Sequence, residues 1–193
     1  MVLHRHGASE TARRRLAHYG APAVLFAVLI YLSRLGPPQR DLDLVELFSG
    51  AGALASAFSE HSMNSEQFDV CRDPLHDIRR VSGFLKAVQL VLRLKVGALL
   101  WAGTPCSTWV WIARSSTGRS RGNPLGRTDQ QCVSDANVTV SRVALLVLLA
   151  VARGACWAIE QPASSLMPEH PRMQMLVRLG RRLGLDWEHI HDV

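Results

Sequence analysis

Between residues 42 and 159, short apolar runs alternate with longer segments of helical periodicity, and this alternation limits the fold more than any other feature of the chain. Residues 42–48 read as a buried strand, 51–60 as a helix and 67–71 as a second strand. In 83–94 the apolar positions Phe84, Leu85, Val88, Val91 and Leu92 recur at helical spacing. Residues 97–102 read as a third strand. A long apolar helix follows over 135–153, with Ser134 or Asp135 as its N-cap and Gly154 just beyond its end. Residues 155–159 read as a fourth strand. Strands separated by helices pair in parallel, and the helices cover the sheet. The expected class is therefore α/β, a doubly wound, mostly parallel sheet. The apolar run 143–152 is too short to span a bilayer and reads as a helix buried against that sheet.

A chain of 193 residues makes one domain, and 48% hydrophobic with 20% charged residues is enough to bury a core. The boundary falls near Gly36-Pro37-Pro38. Residues 1–38 form a basic N-terminal segment, with Arg13-Arg14-Arg15 ahead of the apolar run 21–32, and residues 39–193 form the α/β domain. The N-terminal segment has three readings: a targeting or membrane-anchoring segment, a helix packed on the domain, or a misplaced gene start. Net charge is +6, and Lys86 and Lys95 are the only lysines, so arginine carries it. That favours an anionic partner, nucleic acid or a membrane surface. Cys71, Cys106, Cys132 and Cys156 form no C-x-x-C pair, so zinc-ligand spacing is absent. They read as reduced thiols of an intracellular protein, nuclear or organellar compartments included, rather than a secreted one.

Four constellations carry chemistry. Phe48-Ser49-Gly50-Ala51-Gly52 links the first strand to its helix through two glycines, where backbone can approach a ligand and helix N–H groups point at it. The third glycine of a dinucleotide fingerprint is missing, which argues against NAD. Asp69 lies behind the second strand, where an acid can accept ribose hydroxyls. Asp77 lies at the end of what reads as another short edge, placed to accept from an adenine amino group, and Asp73 competes for either role. Pro105-Cys106 follows the third strand, where a thiolate would be a nucleophile. Glu160 ends the fourth strand, where a carboxyl group can hydrogen-bond a substrate ring nitrogen. The segment 114–127 reads as a mobile basic loop carrying Arg114, Arg119, Arg121 and Arg127.

The order of these constellations resembles the DNA cytosine-5 methyltransferases. Glu46-Leu47-Phe48-Ser49-Gly50-Ala51-Gly52 is similar to that family's D-L-F-x-G-x-G motif. Gly103-Thr104-Pro105-Cys106-Ser107 is similar to its G-P-P-C motif, and Glu160-Gln161-Pro162 to a variant of its E-N-V motif. The resemblance covers roughly residues 43–166. It implies a Rossmann-like class I methyltransferase core that uses S-adenosylmethionine. Phe48 would pack on the cofactor adenine, with Ser49, Gly50, Ala51 and Gly52 along the methionine part and Pro105 close by. Asp69 would hold the ribose, and Asp77 would meet the adenine. Cys106 would add to ring carbon 6 of a flipped cytosine, and Glu160 would hydrogen-bond ring nitrogen 3. The arginines of 114–127 would meet nucleic acid phosphates, DNA before RNA. Thr104, Gln161 and Ala53 depart from the family pattern, a Q-x-R-x-R motif is missing, and nothing resembles a target-recognition domain. With residues 187–193 beginning one more strand, the sheet is expected to be incomplete at its C-terminal side. A complementing chain, a module that binds cofactor or nucleic acid without turnover, or a membrane-anchored vestigial copy are the alternatives.

Overall fold

The computed structural model describes residues 39–183. The apolar run 21–32 and the further strand expected over 187–193 lie outside the described residues. Four strands, β1 (Leu42–Leu47), β2 (Ser65–Phe68), β3 (Leu94–Ala102) and β4 (Cys156–Ile159), form an all-parallel sheet in the order β2-β1-β3-β4. Five helices accompany them: α1 (Ala53–Glu60), α2 (Val81–Leu92), α3 (Arg114–Thr117), α4 (Gln131–Arg153) and α5 (Pro171–Leu183). The α/β class with a parallel sheet is as the alternation predicts.

The chain steps from β1 to β2 on one side, then crosses back past β1 to β3 and β4. Right-handed crossovers in opposite directions place α1 on one face of the sheet and α2 and α4 on the other. Packing agrees: α1 lies on β1 and β2, while α2 and α4 pack on each other and on β3, and α4 also on β4. The main core lies on the α2/α4 face. Val45, Leu47, Leu100 and Ala102 meet Val88, Val91, Val143, Leu146 and Val147 there, all buried. Among the described residues α4 alone is long and apolar enough to cross a membrane, and its packing on β3 and β4 accounts for that character.

The ends of the sheet differ in chemistry. At the amino ends, Arg93 bridges Asp41 at 2.7 Å and Glu66 at 3.0 Å, and Lys95 meets Asp43 at 2.8 Å. The carboxyl ends of β1 and β3 lie side by side at the point where strand order reverses, the place where parallel sheets bind ligands.

Several boundaries differ from those read in the sequence. Strand β2 ends at Phe68 instead of reaching Cys71, because Asp69 turns out of the ladder to serve the glycine turn. Strand β3 starts at Leu94, since its register against β1 shifts between Leu42 and Leu44, and Gly97 absorbs the irregularity at φ 77. Helix α4 starts at Gln131, with no side-chain cap from Gln130. Asp135 sits inside it and accepts from Arg79 at 2.7 Å rather than capping. No strand precedes Asp77; Pro74–His76 is a 3-10 turn whose Leu75 N–H is accepted by Asp73 at 2.9 Å.

Candidate functional site

The turn after β1 has an unusual backbone. Phe48 N–H still donates to the Phe68 carbonyl of β2 at 2.7 Å, yet Phe48 has φ 57, Gly50 φ 50 and Gly52 φ 74. A left-handed conformation costs a side-chain-bearing residue such as Phe48 roughly 1–2 kcal/mol. Strain of that kind collects at ligand sites, where surrounding structure holds it in place. The two glycines do different jobs. A Cβ on Gly50 would meet nothing within 4 Å, so its backbone is open to a ligand. A Cβ on Gly52 would lie 2.4 Å from the flexible end of the Gln67 side chain and 2.7 Å from that of Arg72, and its φ of 74 is left-handed backbone that favours glycine. The exposed Ala51 accepts from Arg72 at 2.9 Å through its carbonyl. The Ser49 hydroxyl is buried without a hydrogen-bond partner among the described residues.

Two acids hold this turn. Glu46 is 5% exposed in β1, and its carboxylate accepts from Ala55 N–H at 2.9 Å in the first turn of α1. It does the work of an N-cap, because Gly52 at the cap position has no side chain to do it. The sequence signal for this role is an acid inside an apolar strand that leads to a glycine at the cap position. Asp69 accepts from Gly50 N–H at 2.9 Å and Cys71 N–H at 2.7 Å. Burial pushes its pKa up, but those donors, the Cys71 thiol and Arg72 outweigh it, and the carboxyl sits below its usual range. Asp69 therefore stands beside the glycine turn, with its carboxylate turned to backbone N–H groups. Asp77 is committed elsewhere. It pairs with Arg79 at 2.9 Å and Arg80 at 3.6 Å, and the Arg79 hydrogen bonds hold it below the usual carboxylate range despite some burial. Its expected role as a free adenine acceptor is corrected accordingly: the adjacent arginine takes both oxygens.

The second turn follows β3. Gly103 N–H donates to the Leu47 carbonyl at 3.0 Å, and a Cβ on Gly103 would lie 3.3 Å from the Phe48 carbonyl. The glycine turn and the cysteine turn thus touch backbone to backbone. Thr104 is buried, its hydroxyl without a hydrogen-bond partner among the described residues, Pro105 is exposed, and Cys106 is half-buried. The Cys106 carbonyl accepts from Trp109 N–H at 2.8 Å and Val110 N–H at 3.2 Å, which fixes the turn. All four cysteines are free thiols.

Glu160 leaves β4 with its N–H on the Ala102 carbonyl at 3.0 Å, and its side chain is exposed. Cys106 and Glu160 therefore sit on loops from neighbouring strand ends. Gln161 joins those loops: its amide donates to the Thr104 carbonyl, and its oxygen accepts from Ser165 Oγ at 2.9 Å. Gln161 departs from the family pattern in sequence, and here it braces the cysteine turn.

The arginine segment is not the open loop expected. A 3-10 turn (Trp111–Ala113) leads into it, it begins with α3, and Arg119 is 2% exposed. The Arg119 guanidinium lies 3.4 Å from the Trp109 ring centroid and donates to Pro124 O at 2.6 Å, Asn137 Oδ1 at 2.9 Å and Val133 O at 3.2 Å. Burial pulls its pKa down to about 10. Arg119 is thus an interior anchor that ties the segment to α4, and its assignment as a phosphate contact is corrected. Arg114 stacks on Trp111 at 4.3 Å; Arg121 is largely exposed with Glu169 at 3.9 Å; Arg127 is exposed. Beside them Trp111 and Ile112 are 67% and 86% exposed.

Among the described residues no group of three or more His, Cys, Asp or Glu side chains could hold a metal ion. No known family model matches the chain, and no curated protein and no solved structure matches it either.

Proposed function

We propose that this protein is an S-adenosylmethionine-dependent methyltransferase-like protein that acts on cytosine in nucleic acid through Cys106. The observation that carries the reading is the backbone contact between the glycine turn and the Pro105-Cys106 turn at the point of strand reversal. A ligand over Gly50 and a base over Cys106 would then be neighbours.

The residues present fit the cofactor. Gly50 leaves space, Phe48 offers a half-buried ring, and the buried hydroxyls of Ser49 and Thr104 have no hydrogen-bond partner among the described residues. When bound, S-adenosylmethionine would supply an electrophilic methyl group. Cys106, as thiolate, would form a bond to carbon 6 of the cytosine ring and be expelled when the carbon 5 proton leaves. Glu160 would hydrogen-bond ring nitrogen 3 and favour that attack. Arg114, Arg121 and Arg127 supply positive charge for phosphates, and the exposed Trp111 and Ile112 offer surface for an unstacked base. A second reading is a module that binds cofactor or nucleic acid without turnover. It is favoured by Asp69 and Asp77, whose carboxylates are already engaged within the chain.

Methyl transfer from labelled cofactor to DNA and RNA tests the proposal. Cys106→Ala is expected to abolish transfer and leave cofactor affinity within about twofold, a difference of about 0.4 kcal/mol. Transfer that survives Cys106→Ala would remove the covalent mechanism. Cofactor binding with no transfer to either substrate would favour the binding module.

A further inference from the structure

Trp111 and Ile112 are exposed side by side on the 3-10 turn that follows the cysteine turn, whereas Trp109, two residues earlier, is fully buried. The backbone joining them to Cys106 is closed on itself. Trp109 N–H and Val110 N–H both donate to the Cys106 carbonyl, and Ala113 N–H donates to that of Val110 at 3.1 Å. A turn closed by the first of these bonds keeps the Cα atoms of Cys106 and Trp109 within about 7 Å. Two further residues add at most ~7 Å, so Trp111 stands within roughly 14 Å of the candidate nucleophile. Arg114 lies 4.3 Å from the Trp111 ring centroid and donates to the Ser164 carbonyl at 3.5 Å, on the loop that Glu160 opens. The exposed ring is thus tied to both loops of the candidate site. Its surroundings are positive, since residues 103–128 contain four arginines and no acid. Arg119 is buried inside the fold, but Arg121 and Arg127 are exposed and Arg114 is half-buried. Arg127 packs on α3, with its N–H on the Thr117 carbonyl at 2.7 Å, and Arg121 meets Glu169 at 3.9 Å.

We propose that the substrate strand is single-stranded nucleic acid and that Trp111 is the platform on which a nucleotide beside the target cytosine stacks. The inference rests on the nucleic-acid reading of the Cys106 site and adds the strand state to it. Exposed aromatic rings among guanidinium groups suit unpaired strands, because the rings take base faces and the cations take phosphates. In a duplex the base faces are covered by the stack, and a protein meets only base edges in the grooves. A surface ring such as Trp111 then has nothing to stack on. The guanidinium of Arg114 against the ring orients it before binding, which lowers the entropy lost on contact. Ile112 adds apolar contact beside it. The spacing is suitable, since roughly 14 Å corresponds to about four nucleotides at ~3.4 Å each along one strand. A strand that arrives unpaired also needs no extrusion of its cytosine from a duplex.

Fluorescence anisotropy of labelled oligonucleotides with the full chain, without cofactor, tests the proposal. The probes are oligothymidine and oligouridine of about 12 nucleotides, within the usual span of a single-strand site, and the oligothymidine–oligodeoxyadenosine duplex of the same length. None contains cytosine, so the readout is independent of methyl transfer. The expected result is that oligothymidine or oligouridine binds at least about tenfold more tightly than the duplex, and that Trp111→Ala removes at least about tenfold of that affinity. Duplex binding is expected to change less than about twofold, and Trp111→Phe, which keeps a stacking ring, is expected to retain most of the single-strand affinity. Thermal melts show that each variant is folded. Duplex bound as tightly as either single strand would overturn the proposal, as would single-strand affinity unchanged by Trp111→Ala. An equal loss on both strand forms would assign Trp111 no stacking role and overturn it too. Self-association abolished by Trp111→Ala, with no oligonucleotide bound, would give the exposed pair to a second copy. The two readings fail separately. Absence of S-adenosylmethionine binding would remove the methyltransferase reading and leave a single-strand result standing, whereas methyl transfer to duplex DNA without single-strand preference would do the reverse.

Discussion

Phe48 holds a left-handed backbone two residues before Gly50, where an added Cβ would meet nothing within 4 Å. If its ring packs on the cofactor adenine, Phe48→Ala weakens binding by about 1–3 kcal/mol, on the scale of aromatic–base stacking. Calorimetry checks this, and unchanged affinity would remove Phe48 from the site. His170 is a second residue with a definite consequence. It is 3% exposed, stands edge-on to Trp109 at 5.7 Å, and its Nδ1 accepts from Arg172 N–H at 3.2 Å. Burial, then Arg119 and Arg172, push its pKa from 6.5 down to about 4. The unfolded chain therefore binds this proton first. The stability contributed by neutral His170 is complete above about 6.5 and is lost as pH falls toward about 4, on the order of 3 kcal/mol in all. Urea unfolding at pH 7, 5.5 and 4.5 measures it. His170→Phe is expected to flatten that slope, and an identical slope would assign acid sensitivity to other groups.

At the scale of elements, the junction between the Asp77 turn and α2 is closely packed. A Cβ on Gly83 would stand 2.2 Å from the Asp77 carbonyl oxygen and 2.9 Å from that of Leu75. Both are backbone atoms, so Gly83→Ala has to move an element and is expected to destabilise the fold by about 1–3 kcal/mol. Denaturant melts measure this, and a loss below about 0.5 kcal/mol, the usual range for surface changes, would contradict the packing. In the sequence Gly83 reads as the start of the helix, whereas it lies inside one that begins at Val81. The same contrast runs through the fold. Strands β1 and β4 are legible almost to the residue, since their apolar runs end at polar or glycine-rich turns. Strand β2 is not, because Ser65, Glu66 and Gln67 form a half-buried strand at one side of the sheet with no apolar signal. The two site turns are legible from motif order along the chain. Their braces are not: Glu46 reaches Ala55, Gln161 reaches Thr104 across 57 positions, and Arg119 turns inward onto Trp109. Pairings over such separations leave no local pattern.

For the molecule as a whole, topology decides where chemistry can occur. Salt bridges at the amino ends of the strands contrast with two glycine-containing turns at the carboxyl ends, and only the latter bring an open backbone and a half-buried thiol together. A cofactor site at Gly50 is the claim on which the methyltransferase reading stands. Calorimetric titration of S-adenosylmethionine into the full chain tests it most directly, with Gly50→Ala as the control. The new methyl group would project into open space, so the variant should fold with a strain cost of about 1 kcal/mol. The proposal expects saturable binding by the unaltered chain and at least tenfold weaker binding by a folded Gly50→Ala. No binding by the folded unaltered chain, or equal binding by both, would contradict it.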